Sequence, residues 1–308
     1  MDEAVQLVSP AGDLYYVRSL DGVGNGNPVE WLGDALTILD GEFYAESEDI
    51  PHGSLKRLDL ATGALRVVNA DAYHPYFNRT LPDGTIITQW GGEGSMWVQV
   101  LAPDLKEIAT LCGAEIDGIA TSPDPAGNRV VCLGYGDGGG ADVTLHTLTG
   151  DSATVIDHFK YDPWNYQTAG WWDDDSFVLI RWTDSGDPLM WTYNVVTKKL
   201  SDLKPTLADG TPAESVRAAG GYRILTTGDV TEIVGFDGTV RASLPCSPSA
   251  ISGHHAIAVC WDWEATSSPL EIIVANLDTG ALTTVASFLP GENHDVRAFP
   301  APGGEMAW

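Results

Sequence analysis

Basic residues are scarce in this 308-residue chain: 16 Lys and Arg face 43 Asp and Glu, for a formal net charge of −27. So acidic a surface repels phosphate backbones and anionic lipid headgroups alike, which argues against nucleic acid as a partner and against direct membrane insertion. Long apolar runs are missing too. No stretch approaches the roughly 18 residues that span a bilayer, and the opening MDEAVQLV is acidic where a secretion signal is basic. No long window carries apolar residues at helical spacing.

The signatures of familiar chemistry are also absent. The sequence has no Gly-x-Ser-x-Gly elbow, His-Glu-x-x-His pair, phosphate loop or dinucleotide fingerprint. Its histidines, His52, His74, His146, His158, His254, His255 and His294, lack ligand spacing, and its four cysteines form no Cys-x-x-Cys pair. The expectation is therefore no metal and no cofactor. Asp173, Asp174 and Asp175 in WWDDDSF read as turn residues rather than as a Ca²⁺ site.

What the chain does have is turns and strand formers: Gly 34, Pro 18 and Trp 11, with many Val, Thr and Tyr. LDLATGALRVV (58–68) reads as strand, tight turn, strand, and ANLDTGALTTV (275–285) repeats it with Thr-Gly-Ala-Leu intact. Related hairpins turn near positions 12, 63, 105, 150, 198, 238 and 280, a period of roughly 45 residues. Between them lies a second series, LGDALTIL, LPDGTIITQW, SPDPAGNRVVCLGY, WWDDDSFVLIRW, AAGGYRILTT, SGHHAIAVCW and APGGEMAW. Two alternating series of turns make four strands per repeat, the blade of a β-propeller.

The fold class is accordingly all-β, a seven-bladed propeller in one domain spanning 1–308. Six blades are continuous, and the seventh is a composite of residues 1–20, near VQLVSP and DLYYVR, with 292–308, near VRAFPA and EMAW. Pairing the two chain ends would remove the free sheet edges of an open array.

The stretch SPDPAGNRVVCLGY, and more loosely LPDGTIITQW, resembles the Ser-Pro-Asp-Gly turn of WD40-like and TolB-like propeller repeats, of the kind found in exported bacterial proteins. The resemblance implies the fold; propellers host many activities, so it leaves function open.

The cysteines repeat in register. Cys112 and Cys246 each follow an outer strand (ATLC, ASLPC), and Cys132 and Cys260 each lie in the second strand of the next blade (RVVC, AIAVC). This placement predicts two disulfides, Cys112 to Cys132 and Cys246 to Cys260, hence an oxidising compartment: extracellular or cell-surface, with the export signal absent from this chain.

In a four-stranded blade the first-to-second and third-to-fourth turns share one face, here the plain face with short turns. The remaining connections gather on the other, long-loop face, where function usually resides. That face is aromatic. Tyr135, Trp182 and Trp263 end second strands, Trp90 falls close to the same place, and Tyr44, Tyr76, Trp164 and Tyr166 come from neighbouring loops. His74, Asp117, Glu214, His294 and Asp295 stand where innermost strands begin.

The expected ligand-binding set is His74, Tyr76, Asp117, Trp164, Tyr166, Trp182, Trp263 and His294, with a protein, peptide or glycan as partner. A non-catalytic extracellular binding propeller is the leading reading. The alternatives are a hydrolase or polysaccharide lyase at the channel mouth, with His74 or His294 as base, and a structural spacer in a surface assembly.

Overall fold

The structure is a computed structural model. It describes residues 4–8, 14–18, 29–32, 35–40, 52–58, 65–73, 75–81, 83–92, 95–102, 106–111, 118–135, 141–149, 152–161, 166–183, 188–260, 269–288 and 305–306.

An N-terminal hairpin pairs β1 (Ala4–Val8) with β2 (Leu14–Arg18). Six antiparallel meanders of four consecutive strands follow. Sheet 1 is β3 (Val29–Leu32), β4 (Ala35–Asp40), β5 (His52–Leu58) and β6 (Leu65–Tyr73). Sheet 2 is β7 (Pro75–Thr80), β8 (Ile86–Gly92), β9 (Ser95–Leu101) and β10 (Glu107–Thr110). Sheet 3 is β11 (Gly118–Pro123), β12 (Arg129–Tyr135), β13 (Ala141–Thr149) and β14 (Ser152–Tyr161). Sheet 4 is β15 (Tyr166–Asp173), β16 (Ser176–Trp182), β17 (Pro188–Asn194) and β18 (Lys199–Asp202). Sheet 5 is β19 (Ser215–Ala219), β20 (Tyr222–Thr227), β21 (Val230–Gly235) and β22 (Val240–Leu244). Sheet 6 is β23 (Pro248–Ser252), β24 (His255–Cys260), β25 (Leu270–Asn276) and β26 (Leu282–Phe288). Both turn series of the sequence fall between the strands they were read to join, except that the strand expected before APGGEMAW lies outside the described residues. No helix occurs among the described residues.

First strands of successive sheets are neighbours: β3 lies beside β7, β11 beside β15, and β15 beside β19. The middle strand β16 is covered on both faces, and Ser176 through Ile180 are all buried. Outer strands meet water, and all four residues of β18, Lys-Leu-Ser-Asp, are exposed.

At the C-terminus the EMAW segment contributes β27 (Glu305–Met306), which pairs with Ile251 and Ala250 of β23; the VRAFPA segment expected beside it lies outside the described residues. First strands offer unpaired backbone groups along one edge, and β27 satisfies part of that edge on sheet 6.

The sheets pack through apolar seams. Val131, Leu133, Val143 and Leu145 of sheet 3 meet Trp171, Phe177, Leu179 and Tyr193 of sheet 4. Ala219, Ile224, Ile233 and Ala242 of sheet 5 meet Ile251, Ala256, Ala258 and Ile273 of sheet 6. Cys246 is bonded to Cys260 across the second seam, as the register of the cysteines predicts. Cys132 is also disulfide-bonded, while Cys112 lies outside the described residues.

Candidate functional site

On the plain face, polar groups lock sheets together. Asp124, buried in the SPDPAGNR turn, accepts from the backbone N–H groups of Asn128 (2.7 Å) and Arg129 (3.0 Å) and pairs with Arg129 Nε at 2.8 Å. The Arg129 guanidinium then crosses to sheet 4. It donates to the Asp174 carbonyl, lies 3.5 Å from Asp175 Oδ1 and stacks 4.6 Å from the Trp171 ring centroid. Arg223 repeats the device from sheet 5, donating to the Trp172 carbonyl at 2.7 Å and covering its ring at 4.3 Å.

The Asp173–Asp175 turn is thus engaged by its own backbone and by Arg129, as expected of turn residues; Asp173 accepts from Asp175 N at 2.9 Å. Among the described residues no cluster of His, Cys, Asp or Glu is arranged to hold a metal ion. His254 occupies a plain-face turn and pairs with Asp278 at 2.9 Å, both exposed.

The long-loop end of sheets 4 and 5 has a different character. Alternation along β16 puts Val178, Ile180 and Trp182 on one side, and Trp182 pairs with Pro188 as Ile180 does with Met190. Val178, Ile180 and Met190 form a seam with Val216, Leu225 and Val234 of sheet 5. Trp182 comes last in that row and remains 39% exposed. Val230, at the same end of sheet 5, is exposed as well, and so is Leu189, which pairs with Arg181 on the other side of sheet 4.

The connection 203–214 frames this rim. Leu203 N donates to the Met190 carbonyl at 2.9 Å, Leu207 is buried in the seam, and Ala208 N donates to the buried Glu232 carboxylate at 2.9 Å. Its tip is closed by Thr211 N donating to Asp209 at 2.8 Å, which holds the Asp209 carboxyl below its ordinary range. Glu214 immediately precedes β19, as the sequence reading has it, and accepts from Gly228 N at 3.1 Å.

Of the expected binding residues, Trp182 is the one with a described side chain. Tyr76 lies in β7 and Tyr166 begins β15, with only their strand positions described; His74, Asp117, Trp164, Trp263 and His294 lie outside the described residues. Sequence reasoning missed Leu189, Val230 and the 203–214 connection. The Asp209-Gly210 pair in LADGTP was the available signal, a turn signature between two strands.

No protein-family model and no curated protein matches this chain. Solved structures do. An uncharacterized protein from Listeria monocytogenes is 10% identical with a TM-score of 0.56, covering 88% of this chain and 86% of that one. An acylaminoacyl peptidase is 12% identical with a TM-score of 0.55 over 83% of this chain. TolB from Acinetobacter baumannii is 14% identical with a TM-score of 0.46 over 82% of this chain. This chain spans 45% of that peptidase and 62% of that TolB. Successive four-stranded meanders with adjacent first strands decide the architecture. The fold is a β-propeller. At such identities the likeness concerns the fold, and the propeller's chemistry must be argued from its own residues.

Proposed function

We propose that this propeller is a non-catalytic binding module, exported and disulfide-bonded, that takes a protein, peptide or glycan on its long-loop face. The observation carrying this reading is Trp182: a large aromatic side chain left substantially in water at the end of a strand whose preceding residues are buried. A ring so placed is rigid, amphipathic and accessible, the combination that dominates recognition surfaces. His74, Tyr76, Asp117, Trp164, Tyr166, Trp263 and His294 complete the proposed set. The Cys246–Cys260 bridge supports an oxidising, extracellular or cell-surface setting.

The decisive experiment is a glycan and peptide binding screen on the wild-type chain, repeated with Trp182→Ala and with His254→Ala from the opposite face. A stacked ring is worth roughly 1–3 kcal/mol, so the first variant weakens binding tenfold or more and the second leaves it unchanged. Hydrolysis of the probes that disappears in His74→Ala or His294→Ala would replace this reading with a catalytic one. Binding equal in the wild type and Trp182→Ala would remove Trp182 from the site.

The single domain spans 1–308, with the β1–β2 hairpin serving as part of a seventh blade completed by C-terminal residues from 292 onward. Deleting residues 1–18 therefore lowers the melting temperature far more than loss of a free tail does; an unchanged melt refutes the closure.

A further inference from the structure

Six of the exposed large apolar side chains, Val155, Ile156, Val196, Leu200, Val240 and Leu282, lie on outer strands or in plain-face turns. Scattered exposure of that kind is ordinary. The other three stand at the long-loop end: Leu189 pairs with Arg181 on the far side of sheet 4, whereas Trp182 and Val230, 39% and 45% exposed, continue the rows of the seam residues Ile180 and Val234 on two adjacent sheets. Their frame is fixed in place by Leu207 in the seam and by the Ala208–Glu232 hydrogen bond.

The charge around this rim is one-sided. Asp202, Asp209, Glu214 and Asp229 are exposed about it, against Lys204 and the half-buried Arg181. Glu214 and Asp229 border Val230 directly, since Glu214 accepts from Gly228 of the same turn and Asp229 precedes Val230 in sequence. Apolar anchors inside a negative border complement a ligand with the opposite arrangement, an apolar side chain flanked by cations.

We infer that this rim docks a basic peptide segment, with an aromatic or aliphatic residue against Trp182 and Val230 and Lys or Arg side chains facing the surrounding carboxylates. The inference rests on the binding reading above and narrows it to one ligand chemistry and one place on the ring. A neutral glycan would use the Trp182 ring and leave the carboxylates idle; an acidic segment would be repelled by them. Because the attraction is between solvent-exposed charges, binding weakens as salt rises.

The test uses a fluorescent peptide of about a dozen alternating Lys and Leu residues with one Trp, the same peptide with Glu for Lys, and a neutral oligosaccharide, each titrated against the full chain. The Lys peptide is expected to bind, to weaken at least tenfold between about 50 and about 500 mM salt, and to weaken at least tenfold in Trp182→Ala. Val230→Lys, a change at the exposed first residue of β21 that leaves the core intact, produces a comparable loss. The double variant Glu214→Gln/Asp229→Asn loses severalfold, and Val196→Ser on the opposite face loses nothing.

Equal binding of the Lys and Glu peptides overturns the inference, as does Lys-peptide binding indifferent to both Trp182→Ala and Val230→Lys. If the oligosaccharide binds in a Trp182-dependent way and the Lys peptide does not, the basic-peptide assignment falls while the binding face stands. No Trp182-dependent binding of any of the three probes overturns both together.

Discussion

The seam between sheets 3 and 4 and the seam between sheets 5 and 6 solve one packing problem with different materials. The first is filled by rings. Trp171 meets Phe177 edge-on at 5.9 Å, Phe177 lies 5.3 Å from Tyr193, and Tyr193 stacks on Phe159 at 4.5 Å. The second is filled by small side chains, Ala219, Ala242, Ala256, Ala258 and Ala275 among isoleucines and leucines. There the sheets come so close that a Cβ added to Gly220 would sit 2.9 Å from Ile251 Cγ2. Large rings bring volume and polar handles, so hydrogen bonds and stacked cations lock the first seam. Small residues offer neither, and a disulfide ties the second. The difference shows how one repeated unit tolerates variable spacing: wide gaps take aromatics, narrow gaps take alanine and a covalent tie.

The strongest way to break the aromatic seam is Phe177→Ala. Phe177 is fully buried among side chains of two sheets, so the cavity costs about 3–5 kcal/mol in denaturant unfolding. Next is the covalent tie. Replacing Cys246 and Cys260 together with Ser reopens a loop with a sequence separation of 14 and costs about 3 kcal/mol. Reductant should reproduce that loss in the wild type and have no such effect at this junction in the variant. Ala258→Leu sharpens the contrast from the other side, since the narrow seam cannot take the volume; overpacking there costs about 1–3 kcal/mol.

Arg129→Lys keeps the charge and loses the planar group that stacks on Trp171 while reaching sheet 4, an expected loss of about 1 kcal/mol.

Acid offers the finest distinction. The hydrogen bond from Tyr193 at 2.7 Å, aided by Lys198, holds the Asp157 carboxyl below its ordinary value near 3.8. Stability from this pair is thus present above about pH 3.8 and is lost as pH falls through the depressed value. His146, buried in β13 with no hydrogen-bond partner for Nε2, is held below its ordinary 6.5 by desolvation. The unfolded chain takes up that proton first, so stability erodes as pH falls below about 6.5. Melts from pH 7 to 3 should flatten over the upper part of this range in His146→Leu and over the lower part in Tyr193→Phe.

Much of the fold was legible because turns and strands are local. The echo of Thr-Gly-Ala-Leu marks the third-to-fourth hairpins of sheets 1 and 6; in the second, Gly280 takes a positive φ of 72° that few other residues adopt. Cys246 and Cys260 could be matched because one follows the outer strand of sheet 5 and the other ends the second strand of sheet 6, positions that the seam places opposite each other. The candidate site was legible only in part. Trp182 was found from its place at a strand end, whereas Leu189, Val230 and the 203–214 connection carry no mark in composition distinguishing an exposed apolar residue from a buried one.

The sequence by itself determined the four-strand period, the direction of each meander and the turns, since hydrophobic alternation and turn chemistry act over a few residues. Only the tertiary structure decided which sheets press closely enough to require alanine, that Arg129 spends its charge on the neighbouring sheet, that β27 pairs with β23, and that Trp182 stays at the water's edge of its seam. Those outcomes depend on distances between residues far apart in the chain, and such distances exist only once the sheets have packed.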